Sequence, residues 1–135
     1  MVVLTSQLSA PGGGLPQILK PDYKPAAVKA GQKGELTVSF NLLKGYAINR
    51  TPPISLKLTA VPGLTLSKID FTTPETDPKS KDEYYVDLPT IKVPLAAGKA
   101  GKYEIPGKLV YFFCSIADGF CSRQVLDVKI PVNVQ

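Results

Sequence analysis

Two cysteines, Cys114 and Cys121, are the residues of this chain whose type and spacing invite chemistry. A thiolate attacks a disulfide sulfur through a mixed disulfide, so a pair close in sequence can cycle between dithiol and disulfide. The chain contains no histidine. That removes imidazole bases, serine–histidine and cysteine–histidine catalytic pairs, and imidazole metal ligands. Two thiols alone lack the remaining ligands of a zinc site. The glycine runs Gly12-Gly13-Gly14 and Gly98-Lys99-Ala100-Gly101-Lys102 lack the Lys-Ser/Thr ending of a phosphate loop and read as linker and turn. No carboxylate pair or nucleophile–base spacing suggests a hydrolase or a phosphotransferase. Neither a metal nor an organic cofactor is expected.

The cysteines end two strand-like runs, Leu109-Val110-Tyr111-Phe112-Phe113-Cys114 and Cys121 onward, joined through Asp118-Gly119, a strong turn dipeptide. If Cys114 and Cys121 face each other across this hairpin, Phe112 opposes Arg123, Val110 opposes Val125 and Leu109 opposes Leu126. Side chains alternate along a strand, so parity tests the register. Leu126, Val128, Ile130, Val132 and Val134 share one face and must form the core side. Cys121, Arg123, Asp127 and Lys129 share the other, and Cys114 lands there with Phe112. The pair is therefore expected to point away from the main core. Directly facing residues have Cα atoms only about 4.5–5.5 Å apart, the tight end of disulfide geometry. The short closed loop stabilises the fold by ~2.5 kcal/mol on chain-entropy arithmetic, a modest contribution for a purely structural staple. Arg123 favours a thiolate, Asp118 opposes it, and no histidine or helix N-terminus acts on the pair.

The elements that hold this hairpin read as β throughout. Leu36, Val38 and Phe40 alternate in Gly34–Phe40, as do the apolar residues of Ile54–Ala60 and Thr90–Leu95. Val61-Pro62-Gly63 supplies a turn before Leu64-Thr65-Leu66, and Arg123–Val134 gives a long final strand. With 13 prolines and turn signals about every 8–12 residues, no helical period survives. The pattern predicts an all-β antiparallel β-sandwich of about seven to nine strands; it lacks the buried tryptophan of antibody domains, so an immunoglobulin-like topology would be a distant variant. The 135 residues suit a single domain over 17–135 after a flexible arm over 1–16. The polar, proline-punctuated segment 67–81 reads as a long loop of the functional or mobile kind.

A net charge of +5 would suit an anionic partner, but the lysines are scattered and arginines number two, Arg50 and Arg123. Nucleic-acid readers cluster such residues, so these lysines read as solubilising surface and no nucleic acid is expected. No apolar run is long enough to span a membrane, and no direct membrane insertion is expected. The start, Met1-Val2-Val3-Leu4-Thr5, lacks the basic and apolar regions of a signal peptide. It fits either a cytosolic protein or one whose leader has been removed.

The run Gly101-Lys102-Tyr103-Glu104-Ile105-Pro106-Gly107-Lys108-Leu109-Val110-Tyr111, followed by Cys114 and by Ala117-Asp118-Gly119-Phe120-Cys121, resembles the amino-terminal periplasmic domain of the thiol:disulfide interchange protein DsbD. Gly45-Tyr46-Ala47-Ile48-Asn49, after a core strand, is similar to the same family. The resemblance spans roughly Pro25 to Val134. It implies an immunoglobulin-like sandwich in the periplasm, or another extracytoplasmic compartment, whose cysteine pair carries electrons between a membrane electron-transfer domain and thioredoxin-like proteins. It also implies a cap loop shielding the pair until a partner docks. Carried over by position, Cys114 and Cys121 are the redox pair, segment 67–81 is the cap with Phe71 over the sulfurs, and Tyr46 and Ile48 form the wall of the pocket. A cysteine hairpin of this kind also occurs in the β-domain that ends some thioredoxin–NHL-repeat proteins.

Two functions follow. In the first, the pair exchanges with a thioredoxin-like partner guided by exposed Phe112 and Phe120, with Arg123 beside the thiols. In the second, the chain is a non-catalytic immunoglobulin-like binding or spacer module whose hairpin disulfide is an inert staple.

Overall fold

The computed structural model describes residues 16–25 and 28–135. It is an antiparallel β-sandwich with nine strands among the described residues. These are β1 (Leu19–Pro25), β2 (Lys33–Leu42), β3 (Tyr46–Ile48), β4 (Ser55–Leu58), β5 (Leu64–Leu66), β6 (Asp70–Thr72), β7 (Ile91–Ala97), β8 (Gly101–Ser115) and β9 (Cys121–Val134). One sheet has the order β1-β2-β7-β5. The other has the order β9-β8-β4-β6, with β3 also paired to β8. The arm expected over residues 1–16 lies, apart from Pro16, outside the described residues.

The core forms where the alternating apolar faces of the two sheets meet. Leu36, Val38 and Phe40 of β2 and Ile91, Val93 and Leu95 of β7 come from one sheet; Leu56, Ile105, Leu109, Tyr111, Phe113, Ile130 and Val132 come from the other. Along β9 the burial alternates from Asp127 to Val134, with Val128, Ile130, Val132 and Val134 inward. This is the period-two pattern of a strand buried on one side.

The strand β8 is 15 residues long and organises its sheet. One edge pairs with β9 along the whole length. The opposite edge pairs with β4 over Gly107–Val110 and with β3 over Phe113–Ser115. Gly107 permits the close approach of β4: a Cβ there would stand 2.8 Å from the Lys57 carbonyl oxygen and 2.9 Å from Leu58. Backbone cannot give way as a side chain tip can, which fixes glycine at this position.

Two strands interrupted by proline escaped the sequence pattern. β1 carries Pro21 and Pro25 but pairs only with β2, so it is an edge strand where a missing N–H is tolerated. β8 begins at Gly101, well before Leu109, and includes Pro106. Segment 67–81 also differs from expectation, because Asp70–Thr72 within it forms β6 on the edge of the five-stranded sheet.

β9 is the outermost strand of its sheet. Its far end is covered by a bridge between Val28 and Val134, with the Ala30 N–H donating to Gln135 O at 2.8 Å. Its near end meets the chain before β1. The Tyr111 hydroxyl accepts from the Leu19 N–H at 3.0 Å and donates to Gln124 Oε1, and Gln124 Nε2 donates to Pro16 O at 3.0 Å. This network ties the two sheets together beside the hairpin. Burial pushes the Tyr111 phenol above its ordinary pKa.

Candidate functional site

Cys114 and Cys121 form a disulfide with their Cα atoms 3.9 Å apart. The register is the one the sequence parity implies: Cys121 opposes Cys114, Arg123 opposes Phe112, Val125 opposes Val110 and Leu126 opposes Leu109. Ser115 donates its N–H to Phe120 O at 2.7 Å, closing the hairpin with a hydrogen-bonded pair. Antiparallel pairs alternate, so the adjacent cysteines occupy a non-hydrogen-bonded pair, where opposing residues lie closest.

The loop is locked locally. The Asp118 N–H donates to Ser115 Oγ at 3.2 Å, and the Gly119 N–H donates to Ser115 O at 3.0 Å. Gly119 has φ 73°, the left-handed conformation that glycine adopts without steric cost, as the Asp-Gly signal predicts. The Ile116 N–H donates to Gly45 O at 2.9 Å, pinning the loop to the turn before β3.

The two sulfurs differ sharply in environment. Both cysteines point away from the core, yet Cys114 is only 3% exposed while Cys121 is exposed. The cause is strand position. Cys114 lies on a strand flanked on both sides, between β9 and β3, with Ala47 directly opposite on β3. Cys121 begins the edge strand and has a neighbour on one side only. Cys114 Sγ also lies 3.6 Å from Asn49 Oδ1.

Phe112 and Arg123, paired with each other, share the sulfurs' face, with Phe112 half-buried and Arg123 exposed. Val110 and Val125 continue that face along the hairpin, Val125 being 41% exposed. Phe120 is 37% exposed and packs edge-to-face on Phe113 at 6.2 Å. It therefore sits at the end of the sandwich and not over the disulfide.

Besides Phe120, three residues assigned to the pocket fall elsewhere. Tyr46 opposes Ser115 and Ile48 opposes Phe113, so alternation turns both to the core side. The Tyr46 ring packs on Phe113 at 5.8 Å, and Ile48 is 1% exposed. The residues that face the sulfurs are Ala47 of β3 and Asn49 just after it, one position away from those expected. Phe71 is not a lid either. It is a buried residue of β6 opposite Leu56, which in turn opposes Leu109. At about 3.3 Å per residue, the five positions from Leu109 to Cys114 set Phe71 some 16 Å along the strand direction from the sulfurs.

The polar remainder of segment 67–81 is a held loop along the outer edge of β3. Asn49 bridges to Tyr84, and Arg50 donates to the carbonyl oxygens of Glu75 and Asp82. The Tyr85 hydroxyl donates to Pro74 O at 2.6 Å and meets Thr73 Oγ1 at 2.9 Å. Asp77 accepts from the N–H groups of Val86, Asp87 and Lys79 at 2.7, 3.1 and 3.0 Å. Partial loss of water would raise the Asp77 carboxyl, but those donors and the Arg50 charge outweigh it and hold the pKa below the ordinary carboxylate value. A depressed carboxylate contributes order above its unfolded pKa, near 3.9, and loses it as pH falls through the folded value. The amide resonances of Val86 and Asp87 are thus expected to titrate together with a midpoint below about 3.9. A midpoint at or above that value would show that the three bonds do not hold the loop.

Among the described residues no group of three or more histidine, cysteine, aspartate or glutamate side chains gathers to hold a metal ion. The described cavity of about 210 Å³ is lined by Lys33, Gly34, Thr65, Ser67, Pro94, Leu95 and Ala96, all on β2, β5 and β7 or beside them in the opposite sheet. The hairpin disulfide remains the arrangement with chemistry available to it. That Ala47 and Asn49 face the sulfurs is not legible in the sequence, because β3 has only three residues, too few for alternation to declare its register. No protein-family model matches the chain, and no curated protein is detectably similar to it.

Proposed function

We propose that the Cys114–Cys121 disulfide is redox-active and exchanges electrons with a thioredoxin-like protein in an extracytoplasmic compartment, as the resemblance to the DsbD amino-terminal domain implies. The observation that carries this reading is the unequal exposure of two directly opposed sulfurs, Cys121 open on an edge strand and Cys114 3% exposed behind it. Thiol–disulfide exchange needs one sulfur open to attack along the S–S axis and the other able to depart. An incoming partner thiolate bonds to Cys121 Sγ, the Cys121–Cys114 bond breaks, and its electron pair leaves on Cys114 Sγ. A second partner thiol then attacks the partner's own sulfur in the mixed disulfide and releases Cys121 as a thiolate. The partner ends oxidised, and the pair ends as a dithiol carrying two electrons.

The surface beside Cys121 supports docking of a protein rather than attack by a small thiol alone. Val110, Val125 and Phe112 make an apolar strip leading to the exposed sulfur, and Arg123 borders it. Exposed apolar area next to a reactive bond is expected of a surface that a partner covers. Transfer from a membrane electron-transfer domain belongs to the same proposal.

Burial of Cys114 favours a second reading, the inert staple of a binding or spacer module. The reduction potential separates them. Equilibration with glutathione or dithiothreitol is expected to give a value above about −300 mV, in the range of labile disulfides. A value well below that marks a structural staple and overturns the exchange function.

A further inference from the structure

We propose that the Asn49 side chain receives the Cys114 thiolate released on reduction, donating an amide N–H to it and so setting how readily the disulfide opens. The inference rests on the exchange function and names the group that makes the buried sulfur an acceptable leaving group.

Cys114 is 3% exposed, so a thiolate formed there loses most of its water. Burial disfavours a charged sulfur unless a donor replaces the solvent. The surroundings supply few candidates. Ala47, opposite on β3, has no polar side-chain atom. Phe112 on the same strand has none, and Arg123, which opposes Phe112, lies out in solvent on β9. Asn49 is different: its side-chain amide stands 3.6 Å from Cys114 Sγ.

The backbone on both sides of Asn49 is fixed. Its N–H donates to Phe112 O at 2.9 Å, and it bridges to Tyr84 on the other side. The Cβ is therefore held in place while the terminal amide can turn. A half-turn about the last bond exchanges Oδ1 for the Nδ2 donor at the same position. No other hydrogen bond to the Asn49 side chain is made among the described residues, so no hydrogen bond opposes that turn.

The step balances without a proton. The reducing thiolate bonds to Cys121 Sγ, the bond to Cys114 breaks, and the electron pair passes to Cys114 Sγ, where an Asn49 N–H donates to it. In the reverse direction the same donor lets go as the Cys114 thiolate re-forms its bond.

The test uses the full chain in glutathione redox buffers, comparing wild type with Asn49→Leu and Asn49→Asp. Leucine keeps the approximate shape and removes the donor; aspartate keeps the shape and adds a negative charge. Loss of the donor is expected to shift the equilibrium toward the disulfide by about tenfold, or about 30 mV for this two-electron couple, with a larger shift for aspartate. In a Cys121→Ser background, alkylation of Cys114 against pH is expected to give a raised thiol pKa in both variants. If Asn49→Asp does not fold, as judged by its melting curve, Asn49→Leu carries the test. An equilibrium within about twofold of wild type, or a shift with no change in the Cys114 pKa, overturns the proposal. The exchange function fails separately, if wild type is neither reduced nor oxidised by a thioredoxin-like protein while the Asn49 shift in glutathione persists.

Discussion

The Cys114→Ser variant is expected to present a fast-reacting Cys121 thiol and to accumulate a mixed disulfide with a thioredoxin-like protein, whereas the Cys121→Ser variant leaves a sluggish Cys114. Access controls exchange as strongly as thiolate fraction does. Cys121 stands on the edge strand and is exposed, while Cys114 is flanked by Ala47 and Asn49 of the β3 segment and is 3% exposed. The alkylation rates of the two single-cysteine variants at one pH are expected to differ by about tenfold or more, with Cys121 the faster. Trapping with a thioredoxin-like protein that keeps only its attacking cysteine, activated as a mixed disulfide with a small thiol, is expected to follow the same order. Equal rates, or preferential capture through Cys114, would mean that β3 does not screen the sulfur, and the direction of attack derived above would be lost. Melting curves of both variants guard against reading a folding defect as a reactivity difference.

The second large effect is on stability. Phe113→Ala is expected to cost about 3–5 kcal/mol, as buried phenylalanine truncations do when the surroundings cannot collapse. Phe113 is 0% exposed and lies on β8 next to Cys114, pointing the opposite way. Three rings meet it: Tyr46 at 5.8 Å, Phe120 at 6.2 Å and Tyr111 at 6.3 Å. Removing it opens a void framed by aromatic side chains that their own strands hold in place. Guanidinium denaturation of the oxidised and reduced proteins measures the loss, which is expected to be similar in both redox states because the ring faces away from the sulfurs. A cost under about 1.5 kcal/mol would show that the neighbours close the gap.

The sandwich and the hairpin were legible because each rests on a pattern longer than its noise. Leu126 to Val134 alternates over enough residues to declare its inward side, and Asp118-Gly119 marks the turn, so the register of Cys114 against Cys121 followed. The pocket was not legible. β3 is short, and the likeness at Tyr46 and Ile48 supplied the element without its phase; a single residue of phase moves every side chain to the other side of the sheet. Phe71 was misplaced for a related reason. Its polar, proline-rich surroundings hid the strand Asp70–Thr72, whose edge position beside β4 takes Phe71 into the core. Prolines also concealed β1 and the first half of β8, since local sequence does not say which edge of a strand needs its N–H.

The outermost position of β9 has a consequence for colloidal behaviour. A long unpaired rim offers a template on which identical chains can stack into fibrils. Pro131 opposes Glu104 in a non-hydrogen-bonded pair, so its missing N–H falls on the open rim, and alternation puts the charges of Asp127 and Lys129 on the solvent side of the same stretch. Val28 bridges Val134 at one end, the Gln124 side chain bonds Pro16 near the other, and Pro131 interrupts the rim between them. The chain thus carries an exposed sulfur on a frontier strand whose rim is broken by a proline and flanked by charge, features that work against self-association.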